Sequence, residues 1–99
     1  MKYIFITFLL FFIGCSSSLP DESLPLADHL KIGMDFLDQG KFVKAQDEFK
    51  FILSRGTGTD YGDDAQFFLA EAYFLNEQYM LSIQEYENLT RKMAFSPFF

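Results

Sequence analysis

Two stretches decide the fold of this chain: HLKIGMDFLDQGKFVKAQDEF at residues 29–49 and QFFLAEAYFLNEQYMLSIQEY at residues 66–86. Each has a small residue, an aromatic residue three positions later, a second small residue nine positions after that, and a second aromatic residue four positions further on. The offset is constant at 37 residues, since 70 − 33 and 86 − 49 agree. The matched positions are Gly33, Phe36, Ala45 and Phe49 in the first stretch, and Ala70, Tyr73, Ser82 and Tyr86 in the second. Such internal similarity indicates a repeat architecture.

Each stretch is typical of two antiparallel helices. Gly33 or Ala70 allows the second helix to approach closely, and aromatic residues fill the space beside the small residue of the partner helix. We predict helices over about 26–39, 42–54, 60–76 and 79–93. Gly40 ends the first helix, and Thr59 or Asp60 caps the third.

These intervals resemble the tetratricopeptide repeat. The resemblance lies in His29-x2-Ile32-Gly33-x2-Phe36 with Ala45-x3-Phe49, and in Gln66-x2-Leu69-Ala70-x2-Tyr73 with Ser82-x3-Tyr86. His29 and Gln66 replace the leading Trp, glycines replace the closing Pro, and the period of 37 exceeds the usual value of about 34. The resemblance implies an all-α fold of helical hairpin repeats, an α-solenoid. The alternative is an amphipathic four-helix domain without repeats.

The N-terminus has the pattern of an export signal. Lys2 precedes an eleven-residue, largely apolar stretch at residues 3–13, which is too short to cross a bilayer as a helix. The tetrapeptide FIGC that ends at Cys15 resembles the lipobox of bacterial lipoproteins, with Phe12 where Leu is commonest. This resemblance implies cleavage before Cys15 and lipidation of Cys15, and several acyl chains anchor a protein far more firmly than one. The alternative is a buried structural cysteine.

The chain therefore divides into five segments. We expect a cleavable lipoprotein signal peptide at 1–14, a lipidated flexible tether at 15–25, repeats at 26–58 and 59–94, and the start of a truncated third repeat at 95–99. Loss of the signal peptide with its single Lys changes the net charge from −6 to −7. The terminal Phe99 also permits a second interpretation as a β-barrel targeting signal, which helical repeats disfavour.

A lipobox, a short Ser/Pro tether and slightly elongated repeats together resemble the BamD-like family of outer-membrane protein assembly factors. Gly62-Asp63-Asp64-Ala65 and Ala72-Tyr73-Phe74 in the second repeat fit the same family. The resemblance implies a periplasmic scaffold, lipid-anchored to the outer membrane, that assists insertion of β-barrel proteins. The implied partners are subunits of the β-barrel insertase complex and unfolded outer-membrane proteins. The alternative is a repeat lipoprotein scaffold of another cell-envelope or cell-division complex.

The composition excludes several other classes of function. The 14 acidic and 8 basic side chains disfavour binding to nucleic acid. One Cys and one His cannot supply a four-ligand zinc site, and a lone Cys cannot form an internal disulfide. We interpret His29 as a helix-packing or surface residue rather than a base or ligand, and the acids at 60–64 as a helix start rather than a calcium loop. No enzymatic activity and no cofactor is predicted.

The inner face of the first helix in each repeat lines the concave surface of such architectures. The candidate groove residues, chosen by helical spacing, are Leu30, Met34 and Leu37 in the first repeat and Asp64, Phe67, Glu71 and Phe74 in the second. The apolar members could accept apolar side chains of an extended peptide, and the two acids could meet a basic or amide-bearing segment. For the apolar members, packing in the core between repeats is the alternative.

Overall fold

The computed structural model describes the backbone of residues 19–94 and the side chains of residues 19–92. They form four helices: α1 (Leu26–Asp38), α2 (Phe42–Gly56), α3 (Asp60–Leu75) and α4 (Tyr79–Ala94). The prediction of an all-α fold is confirmed for this part of the chain, and the helices begin and end within two residues of the expected positions. No helix in this part is long and apolar enough to cross a membrane.

Each helix packs on the next one in the sequence, and α1 also contacts α3. The core lies mainly between α2 and α3. Its fully buried members are Ala45, Phe49, Ile52, Ala65, Leu69, Ala72 and Tyr73. Apolar residues of α1, including Leu30, Phe36 and Leu37, are half-buried against this cluster. The arrangement is a linear series of helices in which each new helix covers the one before it.

The turn between α1 and α2 is closed by a glycine in the left-handed conformation. Gly40 has a φ of 75°, and its N–H donates to the carbonyl of Leu37 at 3.0 Å. The N–H of Lys41 donates to the carbonyl of Phe36 at 2.8 Å. This pair of bonds is the Schellman motif, which satisfies carbonyls that the helix end would otherwise leave unpaired.

The turn between α3 and α4 has the same hydrogen bonds without a glycine. Glu77 adopts a φ of 61°, and its N–H donates to the carbonyl of Phe74 at 3.0 Å. The N–H of Gln78 donates to the carbonyl of Tyr73 at 2.8 Å. Each of these residues lies 37 positions after its counterpart in the first turn. Glu77 thus occupies a conformation that L-residues other than glycine adopt rarely.

The loop between α2 and α3 ends in a side-chain cap. The hydroxyl of Thr59 accepts from the N–H of Gly62 at 3.1 Å, as expected for the first residue before a helix. Asp60 and Asp63 lie in the first turn of α3, where the helix dipole favours negative charge. The acidic residues at 60–64 thus lie at the start of a helix, as the sequence predicts.

Residues just before α1 form a turn of their own. Asp21 accepts hydrogen bonds from the hydroxyl of Ser23 at 2.7 Å and from its N–H at 2.9 Å. These two hydrogen bonds lower the pKa of the exposed Asp21 carboxyl. The bond from the Ser23 hydroxyl has the larger effect, and the bond from the Ser23 N–H has the smaller one. Part of the predicted tether at 15–25 is therefore folded back on itself, and Cys15 with the signal peptide lies outside the described residues.

Candidate functional site

The small and aromatic positions of the repeated pattern meet where the paired helices cross. A Cβ atom placed on Gly33 would lie 2.5 Å from Cε1 and 2.9 Å from Cζ of Phe49, so α2 approaches α1 more closely than an alanine would allow. In the second hairpin Ala70 occupies the equivalent position, and its carbonyl accepts from the hydroxyl of Ser82 at 2.9 Å. The Phe49 ring is fully buried, whereas Tyr86 is half-buried. The two crossings thus use equivalent positions with different packing.

A buried polar pair joins the helices of the first hairpin. His29 of α1 has no exposed surface, and its Nδ1 lies 2.5 Å from Oε2 of Glu48 on α2. Because a carboxylate only accepts, Nδ1 donates in this pair. The imidazole also packs on the Phe51 ring at 4.3 Å between centroids, and its Nε2 has no partner within the described residues. Of the two roles expected for His29, the structure places it in helix packing.

The second hairpin has a polar pair at the equivalent positions. Nε2 of Gln66 donates to Oε2 of Glu85 at 3.1 Å. Both residues lie 37 positions after the first pair, since 66 − 29 and 85 − 48 agree. Sequence reasoning noted His29 and Gln66 but missed the two glutamates. The signal for them was available, because Glu48 and Glu85 obey the same offset.

A polar bridge connects the two hairpins. Gln46 on α2 is buried, and its Nε2 donates to Oε1 of Gln78 in the second turn at 2.8 Å. Asn76 donates to the same oxygen through Nδ2 at 2.8 Å. A buried amide that is paired in this way favours one alignment of α2 relative to the α3–α4 turn.

The candidate groove residues do not form one continuous surface. Leu30 and Leu37 are half-buried against the core, so the alternative considered for them, packing between hairpins, describes their positions. Met34 is 39% exposed, and Asp64 is exposed to solvent. Phe67, Glu71 and Phe74 form a stripe on α3 that borders α4. The open apolar surface therefore lies on the second hairpin.

Residues of α4 that the groove prediction did not include complete this surface. The Phe67 ring meets the Tyr86 ring edge-on at 6.2 Å, and the Phe74 ring meets the Tyr79 ring edge-on at 5.4 Å. Ile83 lies between the two tyrosines, one helical turn from each. We call this surface the outer face of the second hairpin; its residues are Phe67, Phe74, Tyr79, Ile83 and Tyr86.

The hydroxyl of Tyr86 donates to the carboxylate of Glu71 at the edge of the outer face. Burial, and then this hydrogen bond to Glu71, raise the pKa of Tyr86 to about 12. The phenol is therefore neutral over the physiological range and orients one rim of the outer face.

Residues 19–94 contain no group of three His, Cys, Asp or Glu side chains placed to hold a metal ion. His29, the single imidazole of the chain, is enclosed and paired with Glu48. What the arrangement offers chemically is an apolar contact surface on a rigid pair of helices.

No protein-family model matches the chain, and no curated protein matches it at a significant level.

Proposed function

We propose that this chain is a tetratricopeptide-type repeat protein that acts as a binding scaffold, with units at 26–58 and 59–94. The observation that carries the proposal is the recurrence of the Schellman hydrogen bonds at Gly40 and Glu77 with the offset of 37 residues. The recurrence of the polar pair between the two helices of each hairpin, at the same offset, supports it independently. An internal repeat that governs both backbone and side-chain bonds favours an α-solenoid over an unrelated four-helix domain.

A scaffold of this kind acts through rigid display of a surface. Each hairpin contacts its neighbours along the series, and the side chains left uncovered become the contact area for other proteins. The exposed aromatic residues of the outer face supply such an area, because aromatic side chains carry much of the binding energy at protein interfaces. In keeping with the BamD-like resemblance, we propose a non-enzymatic role.

The site of action follows from the sequence. We infer lipidation of Cys15 from the lipobox resemblance, with the folded part held at the periplasmic face of the outer membrane. The BamD-like resemblance favours a role in the assembly of β-barrel outer-membrane proteins, with insertase subunits and unfolded β-barrel proteins as partners. A scaffold for another cell-envelope or cell-division complex is the second candidate, since the same repeats and anchor suit it.

The anchor is tested by membrane partitioning of the full chain expressed in a Gram-negative bacterium. Cys15→Ser should abolish incorporation of labelled palmitate. The variant should appear either in the soluble fraction or as a precursor whose signal peptide is not cleaved. Ser16→Ala is a matched control that should leave both unchanged. Labelled, membrane-bound Cys15→Ser protein would contradict lipidation at this residue.

The partners are tested by co-isolation from detergent-extracted outer membranes. The tagged full chain should co-purify with the β-barrel insertase under conditions that retain other insertase subunits. The Cys15→Ser variant is the control for non-specific capture. Recovery of division or cell-wall proteins in place of the insertase would support the second candidate, and would count against the assembly role.

A further inference from the structure

A cavity of about 350 Å³ opens between α3 and the C-terminal half of α4. Its lining residues are Gln66, Asn88, Arg91 and Lys92, and we call it the α3–α4 cavity. Gln66 is 5% exposed; its Nε2 donates to Glu85, and its Oε1 has no partner within the described residues. Asn88 is half-buried, whereas Arg91 and Lys92 are exposed. The cavity therefore combines a buried polar wall with two cations at its rim.

In the first hairpin an aromatic ring stands at the equivalent place. Subtraction of 37 from Asn88 gives Phe51, whose ring packs on the His29 imidazole with centroids 4.3 Å apart. His29 is in turn the equivalent of Gln66. Because a phenyl ring is much larger than the side-chain amide of asparagine, the change from Phe to Asn leaves space between the two helices of the second hairpin. The α3–α4 cavity follows from this difference in residue type.

The first hairpin also shows which chemical group meets a cation at this place. Arg55 is the equivalent of Lys92, and its Cζ lies 5.1 Å from the centroid of the Phe51 ring. Its Nη2 is 3.8 Å from Oε1 of Glu22, in the turn that precedes α1. The residue before α3 that is equivalent to Glu22 is the uncharged Thr59. The chain thus places a carboxylate beside the cation of the first hairpin but not beside that of the second.

The two cations of the α3–α4 cavity have no carboxylate partner within residues 19–92. The ion pairs of that part of the chain do not include Arg91 or Lys92. Glu87 precedes Arg91 by one helical turn but does not pair with it. The sequences at 1–18 and 93–99 contain no Asp or Glu, so their side chains offer no carboxylate either. Two adjacent cations are therefore available to a carboxylate from elsewhere.

Packing of the next helix leaves this side of a hairpin open. Ser54 and Arg55 of α2 are the equivalents of Arg91 and Lys92, and both are exposed although α3 packs on α2. A helix packed in the same way on the second hairpin would leave the rim of the α3–α4 cavity accessible.

We propose that the α3–α4 cavity binds an acidic peptide segment of a partner protein. A side-chain carboxylate of the segment accepts hydrogen bonds from Arg91 and Lys92, whose charged groups only donate. The amide of Asn88 pairs with a peptide group of the segment, because it offers both a donor and an acceptor. A backbone N–H of the segment satisfies Oε1 of Gln66. The inference rests on the equivalence of the two hairpins stated under the proposed function, but on neither the anchor nor the role in membrane assembly.

A peptide carboxylate suits the cavity better than a phosphate group does. Glu85 pairs with Gln66, and Glu87 lies one turn before Arg91, so a phosphate with a higher charge would meet two carboxylates nearby. The net charge of −6 also repels the chain from an anionic lipid surface. An acidic peptide is therefore the ligand that the surroundings of the cavity favour.

The experiment measures binding of a fluorescent peptide to the full chain in neutral phosphatidylcholine nanodiscs by fluorescence anisotropy. The probe has the sequence LPDESLP of residues 19–25, which includes the carboxylate that lies beside Arg55. A matched peptide with Asp21→Asn and Glu22→Gln lacks both carboxylates. Binding should weaken as sodium chloride is raised from about 0.1 M to about 1 M, because the Debye length falls from about 10 Å to about 3 Å. Circular dichroism confirms the helix content of every protein variant.

Three substitutions in the cavity and one outside it separate binding at this site from general attraction of charges. Arg91→Gln and Lys92→Gln should each weaken binding of the probe at least about fivefold, because each removes a charge-assisted hydrogen bond. Asn88→Phe retains both cations but places a ring in the cavity, as in the first hairpin, and should abolish saturable binding. Lys31→Gln removes the same charge from the exposed surface of α1 and should leave binding unchanged.

The expected result is saturable, salt-sensitive binding of the probe that is weakened or lost in the cavity variants and retained in the Lys31 variant. Absence of saturable binding, equal binding of the peptide without carboxylates, binding that survives Asn88→Phe, or equal loss in the Lys31 variant would each overturn the proposal. Binding to phosphatidylglycerol vesicles that Asn88→Phe abolishes, without binding of the peptide, would overturn it in favour of an anionic lipid. None of these measurements involves Cys15 or the insertase, so their failure would be distinct from failure of the proposed function.

Discussion

The close contact between Gly33 and Phe49 makes a substitution at Gly33 the sharpest test of the packing. In an exposed helix, Gly→Ala stabilises by about 1 kcal/mol through helix propensity. Here the added Cβ would lie 2.5 Å from Cε1 of the Phe49 ring, and that ring is fully buried. Overpacking of this kind costs about 1–3 kcal/mol. We therefore expect Gly33→Ala to destabilise the chain by up to about 2 kcal/mol after the propensity gain is subtracted.

The assay is thermal and chemical unfolding of the full chain in mild detergent, followed by far-ultraviolet circular dichroism. The double variant Gly33→Ala with Phe49→Leu separates the contact from other effects, because the smaller side chain leaves room for the new methyl group. The double variant should be more stable than the sum of the two single changes predicts, by about 1 kcal/mol or more. Stabilisation by Gly33→Ala alone, as for an exposed helix, would refute the close approach of α2 to α1.

Three further changes test features of the same structure. Glu77→Gly should raise the free energy of unfolding by up to about 1 kcal/mol, because glycine adopts the left-handed conformation without strain. Gly40→Ala should lower the free energy of unfolding by a similar amount. Denaturant titrations that give the same sign for both substitutions would contradict the shared turn geometry. Glu48→Ala should lower the melting temperature by the equivalent of about 1–3 kcal/mol, because the His29 imidazole would lose its partner, whereas Glu48→Gln retains an acceptor and should cost less. Because the pKa of Tyr86 is raised to about 12, the stabilisation due to the neutral phenol is present below pH 10 and is lost as pH rises through about 12. Tyr86→Phe should therefore reduce the fall in stability over that interval. An unchanged alkaline unfolding curve would contradict the raised pKa.

The local structure was largely predictable from sequence because it depends on residues close in the chain. Gly40 marks the end of α1, and Thr59 marks the start of α3, since the preferences of these positions arise within one helical turn. The constant offset of 37 residues also identifies the equivalent positions of the two hairpins from the sequence alone. At Glu77 the offset indicates the left-handed turn where the residue type does not.

The burial of particular side chains was less predictable, because it depends on how separate helices cross. The pairing of His29 with Glu48 joins residues 19 positions apart, and no local rule distinguishes Glu48 from Asp47, the other acid of α2. Exposure of the candidate groove residues depends on the same long-range packing, since Leu30 and Leu37 are half-buried whereas Phe67 and Phe74 are exposed. Leu30 and Phe67 hold equivalent positions, but among the described residues Leu30 packs against the core cluster whereas Phe67 is 42% exposed. The exposure of each residue therefore depends on which of the described helices lie against it rather than on residue type.

The charged surface of α1 gives the molecule a polarity. Asp28, Lys31 and Asp35 are all exposed and keep that side of the helix in contact with water. A further apolar helix packed against that side of α1 would remove these charges from water, which is strongly unfavourable.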